Sequence, residues 1–185
     1  MVILRPTRRL WPLLPVGDAV PAGADTALGD WYVNRVVIDR RPLLLLVSSA
    51  SLLPILLPAR EIRTLPQRLA AVVGSRLAHV GVPEPHIAAE TRAMRDVVLG
   101  PTLDRSVVGI MVDFAKALPF YLEPGLWDES TLTVVEARLA ETPCHAGRAF
   151  DRVIFPDRKA PEVLQAKWAG PRAAEPPTGG GITVH

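Results

Sequence analysis

Trp31–Pro58, WYVNRVVIDRRPLLLLVSSASLLPILLP, is the one stretch where strand-forming sequence is dense and continuous. Tyr32 to Asp39 carries Val33, Val36, Val37 and Ile38, β-branched types that suit a pleated surface. Asp39, Arg40, Arg41 and Pro42 then bring turn chemistry, a polar group closed by a residue with fixed φ and no N–H. Leu43 to Val47 is wholly apolar, as expected of a strand covered on both faces. Ser48, Ser49, Ala50 and Ser51 make a second polar break before Leu52 to Leu57. The pattern predicts a three-stranded antiparallel meander, with Pro54 placing the last strand at an edge or at a bulge. A membrane segment is the competing reading of Pro42 to Pro58. It falls short of the ~20 apolar residues a spanning helix needs, and Pro54 and the serines sit inside it.

Around this centre the chain has helical punctuation. Leu65, Leu69, Val72, Val73, Leu77 and Val80 recur at helical spacing. Thr64 and Gln67 have capping-box spacing at the start, and Gly81 is placed to end the helix. A second helix is expected from about Pro85 to Met94, and a short strand over Asp96–Leu99. Asp104 is placed to cap a third helix with the core stripe Val107, Met111, Phe114 and Leu118, ended or kinked by Pro119. Asp128–Glu141 reads as a helix, Ala149–Phe155 as a final strand, and Pro161–Trp168 as one more helical turn. At the start, Met1–Arg5 reads as a strand and Arg8–Leu14 as a helical turn. The expected fold is α+β: a mainly antiparallel sheet of the N-terminal strand plus the meander, with helices mostly on one face. Residues 1–168 are expected to form one domain. Residues 169–185, rich in Pro, Gly and Ala, are expected to be a tail without a packed core.

Composition excludes several classes. With 185 residues, 49% hydrophobic and 22% charged, the chain has the make-up of a soluble globule with a real core. A single cysteine, Cys144, excludes an internal disulfide and a multi-thiolate metal centre, and suits the cytoplasm. Arg5, Arg8 and Arg9 precede the apolar LWPLLPV, but Pro12 and Pro15 interrupt that run, so a signal peptide is not expected. Charge is uneven along the chain: residues 1–68 hold nine basic and five acidic groups, a distribution compatible with a basic face for nucleic acid.

No phosphate-binding loop, dinucleotide fingerprint or nucleophile elbow is present. His79, His86, His145 and His185 lack metal-ligand spacing, so neither metal nor cofactor is expected. Cys144 and His145 are adjacent and do not face each other as a nucleophile and base would. Glu123, Asp128 and Glu129 read as a solvated loop rather than paired catalytic carboxylates. The third helix is the exception. Arg105, Gly109 and Asp113 recur every four residues and share one face, with Ser106 beside them. A glycine inside a helix costs about 0.5–1 kcal/mol relative to alanine, and close approach of a backbone or ligand is the usual reason for one.

DRSVVGIMVDF, Asp104 to Phe114, resembles the signature of a family of small bacterial proteins classed as a domain of unknown function, often carried on plasmids and other mobile elements. The family pattern runs Asn/Asp-Arg-Ser-Val-Leu/Val-Gly-x-Met-Asn-Asp. WYVNRVVIDRRPLLLLVS, TRRL near the start and AETPC late in the chain resemble further family segments in the same order. The resemblance spans about Met1 to Phe155 and marks Asn34, Arg40, Arg41, Arg105, Ser106, Gly109, Met111, Asp113 and Pro143. Val112 and Ser48 stand where the family has asparagine, which removes two amides from any polar site built there, and Pro119 interrupts a helix that normally continues.

The resemblance implies a cytosolic bacterial α+β domain and no particular mechanism. The expected function is a non-enzymatic interaction module for protein or nucleic acid, with Asn34, Arg40, Arg41, Arg105, Ser106, Gly109 and Asp113 as binding residues. The alternative is an enzyme or binding protein for a small anionic or nucleotide-like ligand. It would use Arg40, Arg41, Arg105 and Asp113, and it requires a pocket joining the 40–41 turn to the Arg105 helix.

Overall fold

The computed structural model describes residues 1–14, 23–145 and 153–169. The meander is present as β2 (Trp31–Ile38), β3 (Arg41–Ser48) and β4 (Pro54–Pro58), each antiparallel to the next. The β2–β3 turn is two residues long, and both of them, Asp39 (φ 50°) and Arg40 (φ 59°), lie in the left-handed region. Two positive φ angles are what a hairpin turn of this length needs to match the strand twist. The β3–β4 connection folds around its serines. Ser48 Oγ and Ser51 Oγ share a buried hydrogen bond of 2.6 Å, and Ser48 Oγ also accepts from the Ser51 and Leu53 N–H groups. The polar break is therefore a turn that satisfies itself.

β1 (Val2–Pro6) pairs with β2, and β5 (Val97–Leu99) pairs with β1, both parallel, giving the order β4-β3-β2-β1-β5. The sheet is mixed and mostly antiparallel, with β1 inside it. Every residue of β1 is buried, as a strand with neighbours on both sides and layers above and below must be.

The helices do not gather on one face. α1 (Leu65–His79), α2 (Glu84–Ala93) and α5 (Pro156–Trp168) pack on the face of Val2, Leu4, Trp31, Val33, Leu44 and Leu46. α3 (Arg105–Tyr121) and α4 (Glu129–Ala140) pack on the face of Tyr32, Val36, Leu43, Leu45 and Val47. The reason is in β3 itself. Successive side chains alternate between faces, so an unbroken leucine run needs a layer on each side.

Helix ends follow the sequence in part. Gly81 (φ 77°) ends α1: Gly81 N–H bonds Ala78 O and Val82 N–H bonds Leu77 O, a full Schellman closure. Asp104 caps α3 through Ser106 N–H, and Asp128 with Thr131 forms a reciprocal capping box on α4. The expected Thr64–Gln67 box does not form. The preceding 3-10 turn, Ala59–Arg63, draws Thr64 Oγ1 back onto Glu61 O. Arg8–Leu14 contains a 3-10 helix at Trp11–Leu13 rather than an α-helical turn. Pro119 sits in the last turn of α3, which continues to Tyr121. α5 starts earlier than Pro161, because Ala160 and Leu164 bury its inner side while Trp168 Nε1 donates to the buried Glu90 carboxylate. That carboxylate also accepts from Ala27 and Leu28 N–H, tying α5 and the 26–28 loop to α2. Of the final strand, Ile154 makes an isolated bridge with Cys144, and residues 149–152 lie outside the described residues, as does the 170–185 tail.

The hairpin turn yields a test. An L-residue other than Asn or Asp at a left-handed position carries strain of roughly 1–2 kcal/mol. Arg40→Gly should therefore stabilise the fold by up to about 1 kcal/mol in urea unfolding, after glycine's own entropy loss. A lower midpoint would mean that the Arg40 side chain holds the hairpin through a contact.

Candidate functional site

α3 lies along the meander. At its start Asp104 N–H donates to Tyr32 Oη at 2.9 Å; beyond its end Gly125 N–H donates to Asp39 Oδ2 at 2.8 Å. The seven expected binding residues are distributed along this axis and do not converge. Asn34, half-buried on β2, accepts from Thr7 Oγ1 at 2.9 Å. Arg40 is exposed in the hairpin turn. Arg41 is anchored: its Nη1 donates to Trp127 O at 2.7 Å and its guanidinium stacks 4.9 Å from the Trp127 ring centroid. Its role is to hold the loop between α3 and α4. Arg40 lies six positions beyond Asn34 along the hairpin, about 20 Å. α3 separates the Arg40–Arg41 turn from Arg105 by its 17 residues, roughly 25 Å. Among the described residues, the cavity at the 40–41 turn does not reach Arg105, which the ligand-site alternative requires it to do. The cavity that Arg41 lines, about 340 Å³, is walled by Pro42, Pro58, Arg60, Trp127 and Glu129, without Arg105.

Arg105, Gly109 and Asp113 do share a face, and it is the open one. A Cβ built on Gly109 meets nothing within 4 Å among the described residues. Close packing against the backbone of the described residues, one expected reason for the glycine, is therefore not its cause. Asp113 has only Lys116, 3.7 Å away on the surface, and Arg105 forms no ion pair among the described residues. Ser106 contributes through its backbone N–H, to the cap. Met111, marked by the same signature, is a core residue.

The carboxylates and the cysteine resolve as structure. Asp128 is the α4 cap, its carboxyl held below the usual range mainly by the Ser130 hydroxyl, with the Thr131 N–H next. Glu129 pairs with Arg60. Burial, followed by the charge of Asp113, pushes the Cys144 thiol up to about 11, and Cys144 Sγ lies 3.4 Å from Thr142 O. A thiol so poorly ionised at neutral pH does not serve as a nucleophile.

The structure also reveals a polar cluster at the β4 edge. Leu56 N–H points away from β3 and donates to Glu136 Oε1 at 2.7 Å. By strand alternation the other two outward positions of β4 are Pro54 and Pro58, which have no N–H to present. Arg76 supports Glu136. Its Nη2 donates to Glu136 O at 2.9 Å and its Nε lies 3.7 Å from Oε2, with both side chains almost wholly buried. Burial raises the Glu136 carboxyl, while the Leu56 N–H, Arg76 and His79 act the other way. The same burial lowers the Arg76 guanidinium, against the charges of Glu136 and Asp157. A cavity of about 330 Å³ between α1, β4 and α4 is walled by Arg76, His79, Glu136, Glu61 and Arg68. The sequence does carry a signal for this pair. Arg76 follows Leu69 and Val73 on the buried stripe of α1, and Glu136 follows Leu132 on that of α4. A charge on a core stripe requires a partner.

Residues 3–159 match the family model described as Domain of unknown function (DUF6933), so the chain belongs to that family. No curated protein and no solved structure matches it.

The β4 edge supplies a pH test. A carboxyl raised in the folded state above its ordinary 4.5 binds more protons folded than unfolded, so stability falls as pH rises from about 4.5 through the folded value. Glu136→Gln keeps an oxygen for the Leu56 N–H and removes the titration. Denaturation across that window should therefore give a flatter pH profile for the variant. Parallel profiles would show that Arg76 and the N–H fully offset the burial.

Proposed function

Starting from membership of DUF6933, we propose that this protein is a non-enzymatic interaction module that binds protein through the outward face of α3 and the loops flanking it. The observation that carries this reading is the exposure of several large apolar side chains on α3 and just beyond its two ends. Phe120 is 88% exposed and Leu126 75%, with Leu103 at 69% and Val112 at 44% along the same helix and its approaches. Exposed apolar groups scattered singly are ordinary; grouped on one element they mark contact surfaces. Arg105, without an ion pair among the described residues, and Asp113, beside only its surface neighbour Lys116, add charges that give such a surface specificity.

Protein is favoured over nucleic acid because this face mixes both signs of charge with apolar side chains, whereas a nucleic-acid footprint is a basic stripe. Against the small-ligand enzyme stands the separation of Arg40 and Arg41 from Arg105 by the length of α3. The family resemblance supports a bacterial cytosolic setting and service to a mobile element as part of the same reading.

Co-purification from the native host, with mass spectrometry of proteins, nucleic acid and small molecules, tests the proposal. A protein partner should be captured by the wild type and lost with Phe120→Ser and with Arg105→Ala, while unfolding midpoints stay within about 0.5 kcal/mol, as for exposed sites. Capture of nucleic acid that weakens steeply with salt in a gel shift, insensitive to both substitutions, would overturn it.

A further inference from the structure

On the reading of the α3 outward face as a binding surface, we infer that one partner fitting it is a second copy of this chain, docked α3 to α3 in antiparallel orientation with the two Gly109 residues at the crossing point. The face is self-complementary. Arg105 lies four residues before Gly109 and Asp113 four residues after it, all three exposed on one helical ridge. Each charge is about 6 Å along the axis from the glycine, at ~1.5 Å per residue. A two-fold axis through Gly109 brings Arg105 of each copy to Asp113 of the other, in competition with the loose surface contact of Asp113 to its own Lys116, so both ion pairs form at once. This is the reciprocity an isologous interface demands.

Among the described residues nothing packs on Gly109, whose Cβ position is empty space to 4 Å. At the crossing point that space admits the other helix, and ridges of residues four apart pack against each other at roughly 50°. Val112 and Leu103 lie on opposite sides of the glycine. The two-fold brings each within about one helical turn of the other's copy, so apolar surface flanks the ion pairs. The contact involves little more than one helix per subunit. It belongs with interfaces under roughly 1,200 Å², which are weak and reversible, so the dimer is concentration-dependent.

Sedimentation velocity across a concentration series of the full chain tests this. The wild type should pass from monomer to dimer. Arg105→Asp and Asp113→Arg should each weaken the homodimer by about tenfold or more, because one substitution turns two attractive pairs into two like-charge pairs. An equimolar mixture of the two variants should form a heterodimer at wild-type concentrations, since both cross-pairs are then opposite in sign. The doubly swapped chain, Arg105→Asp with Asp113→Arg, should regain the homodimer. Gly109→Leu should abolish association in every background. A monomer at all concentrations, or single variants that dimerise as the wild type does, overturns the inference. So does a mixture that fails to pair while circular dichroism shows both chains folded. A monomeric wild type whose capture of a different protein is still lost with Phe120→Ser leaves α3 as a binding face and removes only the second copy as its occupant.

Discussion

The structure depends on β3 being buried on both faces. Leu44 and Leu46 enter one core and Leu43, Leu45 and Val47 the other, all essentially without solvent exposure. At ~1.5–3 kcal/mol for each large apolar side chain fully removed from water, five such residues in one strand outweigh any local preference elsewhere in the chain. They oblige the chain to supply a helical layer on each side, and they place β3 inside the sheet with strands on both flanks. α1, α2 and α5 answer one face, and α3 and α4 the other.

Legibility followed the range of the interaction. The meander, its two turns, the edge position of Pro54 and the caps at Gly81 and Asp104 were visible because each is settled within a few residues. The parallel pairing of β1 with β2 and β5 was not, because no local pattern says which distant strand a buried strand will join. The expectation of helices on one face contradicted the reading of Leu43–Val47 as covered on both. The leucine run was the better guide, since burial is stronger than a fold-class analogy. The failed capping box at Thr64 teaches the same rule at small scale. A preceding 3-10 turn competes for the same hydroxyl, and four-residue spacing does not detect that competitor.

The β4 edge shows why the sequence marks Arg76 and Glu136 as charges on buried stripes without marking them as partners. An edge strand must hide its unpaired N–H groups or recruit a neighbour. Here two of the three outward positions are prolines, and the third N–H is taken by a carboxylate 80 residues further along. The prolines were legible one strand at a time. The carboxylate becomes meaningful only once α4 is known to lie beside β4, and Arg76 only once α1 is known to approach from the other core. Their burial is costly; Glu136 satisfies the one N–H that the sheet edge leaves open, and Arg76 holds Glu136 through its backbone carbonyl while the Arg76 Nε stays without a hydrogen bond among the described residues.

The α3 face stands at the opposite pole. Val107, Ile110, Met111, Phe114 and Leu118 bury the inner stripe of this helix, and Asp104 caps it. That burial, several times the ~1 kcal/mol that Gly109 forgoes, leaves the outer stripe free of any duty to the fold. Alanine at 109 and polar groups at 112 and 120 would serve the isolated helix better than glycine, valine and phenylalanine. Neither packing among the described residues nor helix propensity accounts for these residues, which is the ground for proposing a contact outside the chain. Arg40 and Arg41 do not meet that criterion, since a hairpin turn and a stacked tryptophan already account for where they stand. Among the described residues Arg105, Gly109 and Phe120 have no such contact and Asp113 has only its surface neighbour Lys116, and the proposed binding face rests on this difference rather than on a shared place in a family signature.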